Sequence, residues 1–149
     1  MAISGFAASY SWGVVAAGGT NPRFRVLVVD DEKSIADSLA LVFSSQGYDA
    51  RAAYSAEQAA EIISEWEPRL VILDVVLPGM NGIDFAIQLK TSCPTCTVLL
   101  FSGQQNTTAL AEEALERGYE FTILAKPVHP TIFLEEAARL VSAGPTATA

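Results

Sequence analysis

Five polar side chains stand at the carboxyl ends of four apolar runs, and their types suit the binding of a divalent cation and a phosphoryl group. Asp30 and Asp31 follow the first run, Asp74 follows the second, Ser102 the third and Lys126 the fourth. Continuous apolar runs of this length are typical of strands in a parallel sheet that is covered on both faces. Because ligands bind outside the carboxyl ends of such strands, we expect these side chains to converge at one edge of one sheet.

The acidic residues are candidates for a magnesium site. Adjacent carboxylates at the end of a buried strand repel each other and lose solvation, which is costly without a cation. Magnesium prefers oxygen ligands in octahedral geometry, commonly one or two carboxylates with water and phosphate oxygens. We expect Asp31 and Asp74 to be direct ligands and Asp30 to act through water, and the backbone carbonyl of Val76 could supply another oxygen. The alternative is that Asp30, Asp31 and Glu32 only cap the following helix, because acids favour helix N-termini.

Asp74 is also a candidate nucleophile. Carboxylates form aspartyl phosphates during phosphoryl transfer, and catalysis of that transfer is mostly positioning and charge neutralisation. The Lys126 ammonium is a compact point charge that suits one phosphoryl oxygen, and the Ser102 hydroxyl can donate to another. Taken singly, Lys126 could be a surface lysine, and Ser102 could be a turn residue before Gly103.

The elements that must position these residues alternate along the chain. Strands are expected at about 24–30, 49–53, 69–74, 97–101 and 120–125, and helices at about 33–46, 83–92, 106–117 and 130–142. A further helix opens at Ser55, whose spacing to Gln58 is that of a capping box. The alternation predicts an α/β fold, a flavodoxin-like three-layer sandwich with a five-stranded parallel sheet of order 2-1-3-4-5 and five helices.

Length and charge limit the class of protein. A chain of 149 residues is one domain by length. We expect a flexible N-terminal extension over 1–22, the domain itself over 23–142 and a C-terminal tail over 143–149.

A net charge of -8 argues against direct binding of nucleic acid, which needs clustered basic residues. We see no uninterrupted apolar stretch of ~18 residues and no secretory signal, so no membrane association and a cytoplasmic location are expected.

Two local patterns give further expectations. Ile35, Leu39, Leu41, Val42 and Phe43 should form the buried face of the first helix, and Gly47 should end it. The pair Cys93 and Cys96 has CxxC spacing, but it lies between a helix and a strand, whereas a redox CxxC normally opens a helix. We therefore predict two loop thiols that could be oxidised in air but have no assigned role.

The segments around the candidate site resemble the receiver domain of bacterial two-component response regulators. The resemblance covers about residues 24–142 and rests on Val-Leu-Val-Val-Asp-Asp-Glu at 26–32, Leu-Val-Ile-Leu-Asp-Val-Val-Leu-Pro-Gly-Met-Asn-Gly at 70–82, Leu-Leu-Phe-Ser-Gly at 99–103 and Ala-Lys-Pro at 125–127. It implies that Asp74 is the phosphoacceptor and that Asp30 and Asp31 bind magnesium. It also implies that Ser102 and Lys126 contact the phosphoryl group.

The same resemblance implies partners and an output. The phosphoryl group comes from a sensor histidine kinase or a histidine phosphotransfer protein, and the acyl phosphate hydrolyses in place. The surface of the fourth helix, fifth strand and fifth helix then changes shape toward a downstream protein that the sequence does not identify. Such a domain is a signalling switch and not a turnover enzyme.

One residue departs from the family pattern. The family usually has an aromatic residue three positions before the lysine, and Ile123 stands there. Phosphoacceptance does not need that aromatic, whereas the usual output route does. Two other interpretations stay open: a magnesium-dependent phosphatase of the haloacid-dehalogenase-like class, and a receiver fold used as an unphosphorylated interaction module. The first expects an acid where Val76 stands.

Overall fold

The computed structural model describes residues 24–103 and 107–143. The predicted extension over 1–22 lies outside these residues, as do the predicted domain start at position 23 and positions 144–149 of the predicted tail. The predicted limits of the domain therefore stay a prediction.

The sheet has the predicted topology. Its strands are β1 (Arg25–Val29), β2 (Asp49–Ala53), β3 (Leu70–Asp74), β6 (Thr97–Ser102) and β7 (Thr122–Ala125), all parallel and ordered β2-β1-β3-β6-β7. Two-residue strands β4 (Val76–Leu77) and β5 (Met80–Asn81) form a separate antiparallel ladder between β3 and the next helix. Counted over the five long strands alone, the order is the expected 2-1-3-4-5.

Helices cover both faces of the sheet. They are α1 (Lys33–Ser45), α2 (Ala56–Trp66), α3 (Gly82–Ser92), α4 (Thr107–Glu116) and α5 (Pro130–Ala143). Buried residues of α1 and α5 pack on one face, and those of α2, α3 and α4 pack on the other. The three-layer α/β sandwich is therefore confirmed.

Each central strand contributes to both core layers. In β1, Val26 and Val28 face α1 and α5, and Leu27 and Val29 face the other three helices. All four are fully buried. Successive side chains of a strand point to opposite faces, which gives this alternation. Because both faces are buried, the strand has a continuous apolar sequence.

The start of α2 and the face of α1 test the local predictions. The Gln58 amide donates to Oγ of Ser55 at 3.1 Å, as the cap predicts, but the Gln58 side chain accepts from the Tyr54 amide at 2.8 Å. Leu41 was expected in the buried face of α1 and is 70% exposed, so that part is wrong. At ~100° per residue, Leu41 points away from the side that carries Leu39.

Cys93 and Cys96, predicted as loop thiols that could be oxidised, form a disulfide. The Cys93 amide donates to the Leu89 carbonyl at 2.8 Å, which ends α3, and the Cys96 amide donates back to the Cys93 carbonyl at 2.9 Å. This tight turn brings the two Cα atoms to 5.5 Å, within the usual range for a disulfide. The turn geometry was not visible in the CxxC spacing alone.

Candidate functional site

The sheet brings the predicted site residues to one edge. Asp74 and Ser102 are the last residues of β3 and β6, Asp30 directly follows β1, and Lys126 directly follows β7. Backbone bonds continue the sheet to this edge, since the Lys126 amide donates to the Ser102 carbonyl at 2.8 Å and the Val75 amide to the Phe101 carbonyl at 2.9 Å. The edge lies where the strand order reverses between β1 and β3, the usual ligand position in such folds.

Asp74 lies at the centre of the cluster and is almost fully buried. Its Oδ1 accepts from the backbone amide of Val76 at 3.1 Å, and its Oδ2 accepts from Nζ of Lys126 at 3.0 Å. The carboxylate is thus held from two sides in a fixed orientation.

Asp30 is fully buried beside Asp74. Burial raises its pKa, and the neighbouring Asp74 charge adds to the rise, whereas the Glu32 amide and the Lys126 ammonium oppose it. The Glu32 amide donates to Oδ1 at 2.9 Å, and Lys126 donates to Oδ2 at 3.3 Å. The net rise in pKa means that the folded protein holds this carboxylate at a cost, which a nearby cation would lower.

The Lys126 ammonium bridges the two buried carboxylates. Burial alone would lower its pKa, but the hydrogen bond and charge of Asp74, together with those of Asp30, outweigh this and raise the pKa. The same ammonium lies 4.8 Å from the centre of the Phe101 ring. It therefore stays protonated and is held by three groups.

The donor set fits a hard divalent cation. Carboxylate oxygens of Asp30, Asp31 and Asp74 lie within 4.8 Å of one another, with Asp31 exposed to solvent at the mouth of the site. Three carboxylates against one ammonium leave a local excess of negative charge, and all the donors are oxygens of the kind that magnesium prefers. Of the Val76 backbone, the structure shows the amide bonded to Asp74, and a role for its carbonyl stays a prediction.

Ser102 ends β6 inside the same edge and is fully buried. Its backbone pairs with Ala125, the residue before Lys126, in the β6–β7 register. The structure therefore places Ser102 and Lys126 at the ends of neighbouring strands, as the sequence predicts. The role of Ser102 toward a phosphoryl group stays a prediction.

The short antiparallel ladder after Asp74 was not predicted. Val76 pairs with Asn81 and Leu77 with Met80, which turns the chain back toward Asp74. The Pro78-Gly79 pair at the tip, with Gly79 at a φ of +75°, is the composition of a type II turn and was the available signal.

Gly82 closes this loop against the end of β3. Its amide donates to the Val75 carbonyl at 2.6 Å. A Cβ atom at this position would lie 2.7 Å from Cα of Val75 and closer still to the Asp74 carbonyl oxygen. Only glycine permits this approach, so Gly82 belongs to the support of the site.

The fold and the edge together define a doubly wound α/β domain with an acidic, lysine-bridged site at its switch point. The family model of the response regulator receiver domain matches residues 26–138. The chain therefore belongs to the response regulator receiver domain family, whose members are phosphoacceptor signalling domains of two-component systems and not classical enzymes. Receiver domains bind Mg²⁺ at an acidic pocket, which agrees with the aspartate cluster.

Relatives and solved structures agree with this membership. The DNA-binding response regulator MtrA of Mycolicibacterium paratuberculosis is 36% identical over 108 residues, which are 72% of this chain and 47% of that protein. The receiver domain of NtrX from Brucella abortus is 32% identical with a TM-score of 0.69, over 80% of this chain and 99% of that one. A CheY-like receiver domain from Methanospirillum hungatei JF-1, 22% identical with a TM-score of 0.70 over 82% and 95% of the two chains, shares the fold.

The names of the curated relatives correct one expectation. Acidic net charge was taken to argue against nucleic-acid binding, yet these relatives are named DNA-binding response regulators. The chain spans about half of their length. The charge of a receiver segment therefore does not exclude a nucleic-acid partner, and that expectation is wrong.

Within the described residues, none of the helices has the length and apolar character needed to cross a membrane.

Proposed function

We propose that Asp74 accepts a phosphoryl group from a phosphohistidine on a sensor histidine kinase or phosphotransfer protein, in the cytoplasm and with Mg²⁺ as cofactor. The observation that carries this proposal is the position of Asp74, whose Oδ2 lies 3.0 Å from the Lys126 ammonium and whose carboxylate shares an oxygen cluster with Asp30 and Asp31. A nucleophile, a cation site and a fixed positive charge at one sheet edge are the parts that phosphoryl transfer needs.

The proposed step is an in-line displacement at phosphorus. A carboxylate oxygen of Asp74 forms the new P–O bond while the P–N bond of the phosphohistidine breaks, and the departing imidazole takes up a proton from solvent. Asp31 and Asp74, with Asp30 through water, would hold Mg²⁺, and the bound ion would neutralise charge on a phosphoryl oxygen. Lys126 neutralises a second oxygen, and the Ser102 hydroxyl donates to a third.

Return to the unmodified state requires hydrolysis of the acyl phosphate. Water attacks phosphorus, the Asp74 carboxylate leaves, and inorganic phosphate is released. Val76, which is 52% exposed, stands two residues after the nucleophile, where the haloacid-dehalogenase-like class expects a second acid. The absence of an acid at this position supports a phosphoacceptor switch over a hydrolytic enzyme of that class.

For the output, we propose that the surface of α4, β7 and α5 changes on phosphorylation. Lys126 directly follows β7 and precedes α5, so a change in its contacts is transmitted first to these elements. The names of the curated relatives suggest that the response controlled in this way is DNA binding, by a DNA-binding region or protein that the surface contacts.

Phosphorylation with a small-molecule donor tests the proposal without the kinase. Acetyl phosphate and Mg²⁺ should give a single adduct on the full chain, and peptide mapping after borohydride reduction should place it on Asp74. Asp84→Asn is a matched control, because Asp84 is a partly exposed carboxylate that pairs with Arg117 at 2.8 Å and belongs to α3. Asp84→Asn should keep the adduct, and an adduct that persists in Asp74→Asn would contradict the proposal.

A further inference from the structure

We propose that Phe101 is a positioning residue that holds the Lys126 ammonium in the unphosphorylated state and couples it to α5 through Phe133. This inference rests on the proposed phosphoacceptance by Asp74. It assigns the output of the switch to an aromatic pair in the core, in place of the aromatic residue that the family usually has at position 123.

The first contact in this pathway lies between Lys126 and Phe101. The ammonium is 4.8 Å from the ring centre while it donates to Asp74 at 3.0 Å and to Asp30 at 3.3 Å. The face of an aromatic ring carries partial negative charge, so the ring attracts the cation from the side that the carboxylates leave open. The ring and the two carboxylates together fix the ammonium at one point.

The second contact lies between Phe101 and Phe133. Their ring centres are 5.5 Å apart with an interplanar angle of 75°, which is an edge-to-face pair. Both rings are almost fully buried, and Phe133 belongs to α5. Because interiors are close-packed, a change in the position of one ring must be met by a change in the other.

The backbone of Phe101 cannot take up such a change. It pairs with Asp74 on one side and Leu124 on the other, and its carbonyl accepts from the Val75 amide at 2.9 Å. Phe101 is therefore fixed within the sheet, between β3 and β7, and only its side chain is left to respond. This favours α5 over the strands as the element that moves.

Ile123 belongs to the opposite core layer. It packs against the cluster that includes residues of α3 and α4, whereas Phe101 and Phe133 lie in the layer of α1 and α5. A signal carried by the ring pair thus leaves the site on a different face from one carried by residue 123. The lack of an aromatic at position 123 does not interrupt it.

Phosphorylation changes the balance of forces on the ammonium. The phosphoryl oxygens lie farther from the end of β3 than the carboxylate oxygens do, and they carry more charge. Lys126 follows them, so its ammonium moves away from the Phe101 ring. The ring then repacks against Phe133, and α5 shifts.

The test follows backbone amides of α5 by ¹H–¹⁵N NMR on the full chain, before and after addition of beryllium fluoride, a phosphoryl mimic, with Mg²⁺. Wild type should show large shifts in α5, and Phe101→Leu should still bind the mimic but lose most of the α5 shifts. The matched control is Phe121→Leu. Phe121 is also buried and also has a lysine ammonium, that of Lys90, 5.4 Å from its ring centre, but it lies in the opposite core layer.

Three results would overturn the inference: α5 shifts that are the same in Phe101→Leu as in wild type, α5 shifts lost equally in Phe121→Leu, or wild-type shifts confined to α4. A wild type that does not bind the mimic at all overturns the proposed function as well, so the two failures are distinguishable.

A second measurement needs no variant. Protons above an aromatic ring are shifted upfield, so the side-chain methylene signals next to the Lys126 ammonium should lie upfield in the free protein. On binding of the mimic they should move toward the position of an ordinary lysine, while those of Lys90 stay unchanged. Lys126 signals that keep their upfield position in the mimic complex would contradict the proposed movement.

Discussion

Nζ of Lys126 lies 3.0 Å from Oδ2 of Asp74, and the other oxygen of that carboxylate accepts from the Val76 amide, so both oxygens of Asp74 have partners within the protein. The lysine therefore orients the candidate nucleophile and also offers the positive charge that a phosphoryl group would meet. Loss of the lysine should therefore have opposite effects on Mg²⁺ binding and on phosphorylation.

Lys126→Gln should weaken phosphorylation and strengthen Mg²⁺ binding. The variant loses the charge that neutralises a phosphoryl oxygen, which should lower the rate of adduct formation by about 100-fold. It also removes a cation that competes for Asp30 and Asp74, so the Kd for Mg²⁺ should fall by roughly tenfold, or about 1.4 kcal/mol. Stopped-flow phosphorylation and calorimetric titration measure the two effects. Lys90→Gln, on an exposed lysine, should change neither, and a loss of Mg²⁺ affinity in Lys126→Gln would be inconsistent with this account.

Asp30→Asn should stabilise the metal-free protein. Because the pKa of Asp30 is raised by burial, the folded state binds a proton there more tightly than the unfolded state does. The free energy of unfolding should therefore fall as pH rises from the ordinary range of an aspartate through the raised pKa. At neutral pH the variant avoids this cost and should gain about 1 kcal/mol.

Urea denaturation without Mg²⁺, over a pH series from the ordinary pKa of an aspartate, about 4, to pH 7.5, measures that gain. Part of the decline in stability between these conditions should disappear in Asp30→Asn. The exposed Asp31→Asn should leave stability nearly unchanged, although both variants weaken Mg²⁺ binding. Equal stabilisation by both variants would show that burial of Asp30 is not the cause.

Gly82→Ala should destabilise the protein and disturb the site. The new Cβ atom would meet rigid backbone at Asp74 and Val75, which should cost about 3 kcal/mol and move the loop that holds Val76. Gly79→Ala is the matched control, because it meets nothing within 4 Å and carries only the cost of a positive φ, roughly 1 kcal/mol. Thermal melts compare the two. Similar losses in both variants would mean that the close approach at Gly82 is not the constraint.

Ser102→Ala should slow adduct formation by about tenfold to 100-fold, because one donor to the phosphoryl group is removed. Ser102→Thr keeps the hydroxyl and should retain most of the rate. Both rates are measured with acetyl phosphate under the same Mg²⁺ concentration. A rate in Ser102→Ala that equals wild type would remove Ser102 from the proposed machinery.

The sequence predicted the fold and the convergence of the site, since buried parallel strands impose both. Four continuous apolar runs reveal the strands, and the residues after them must share an edge. The sequence alone therefore places four side chains together, those of Asp30, Asp74, Ser102 and Lys126.

What the sequence did not predict depends on turn geometry and on contacts across the sheet. The ladder that folds Val76 back against Asn81, the disulfide between Cys93 and Cys96, and the exposure of Leu41 each depend on a local turn or helix rotation. The Lys126–Phe101 contact joins two elements that no periodic pattern relates. These features depend on three-dimensional packing, which hydrophobic periodicity and composition do not show.

Intact-protein mass after incubation with acetyl phosphate and Mg²⁺ tests the central claim most directly. One phosphoryl adduct is expected on the wild type, absent in Asp74→Asn and absent when Mg²⁺ is removed with a chelator. An adduct that persists in Asp74→Asn, or no adduct on the folded wild type, would contradict phosphoacceptance by Asp74. The second result would favour a receiver fold used as an unphosphorylated interaction module.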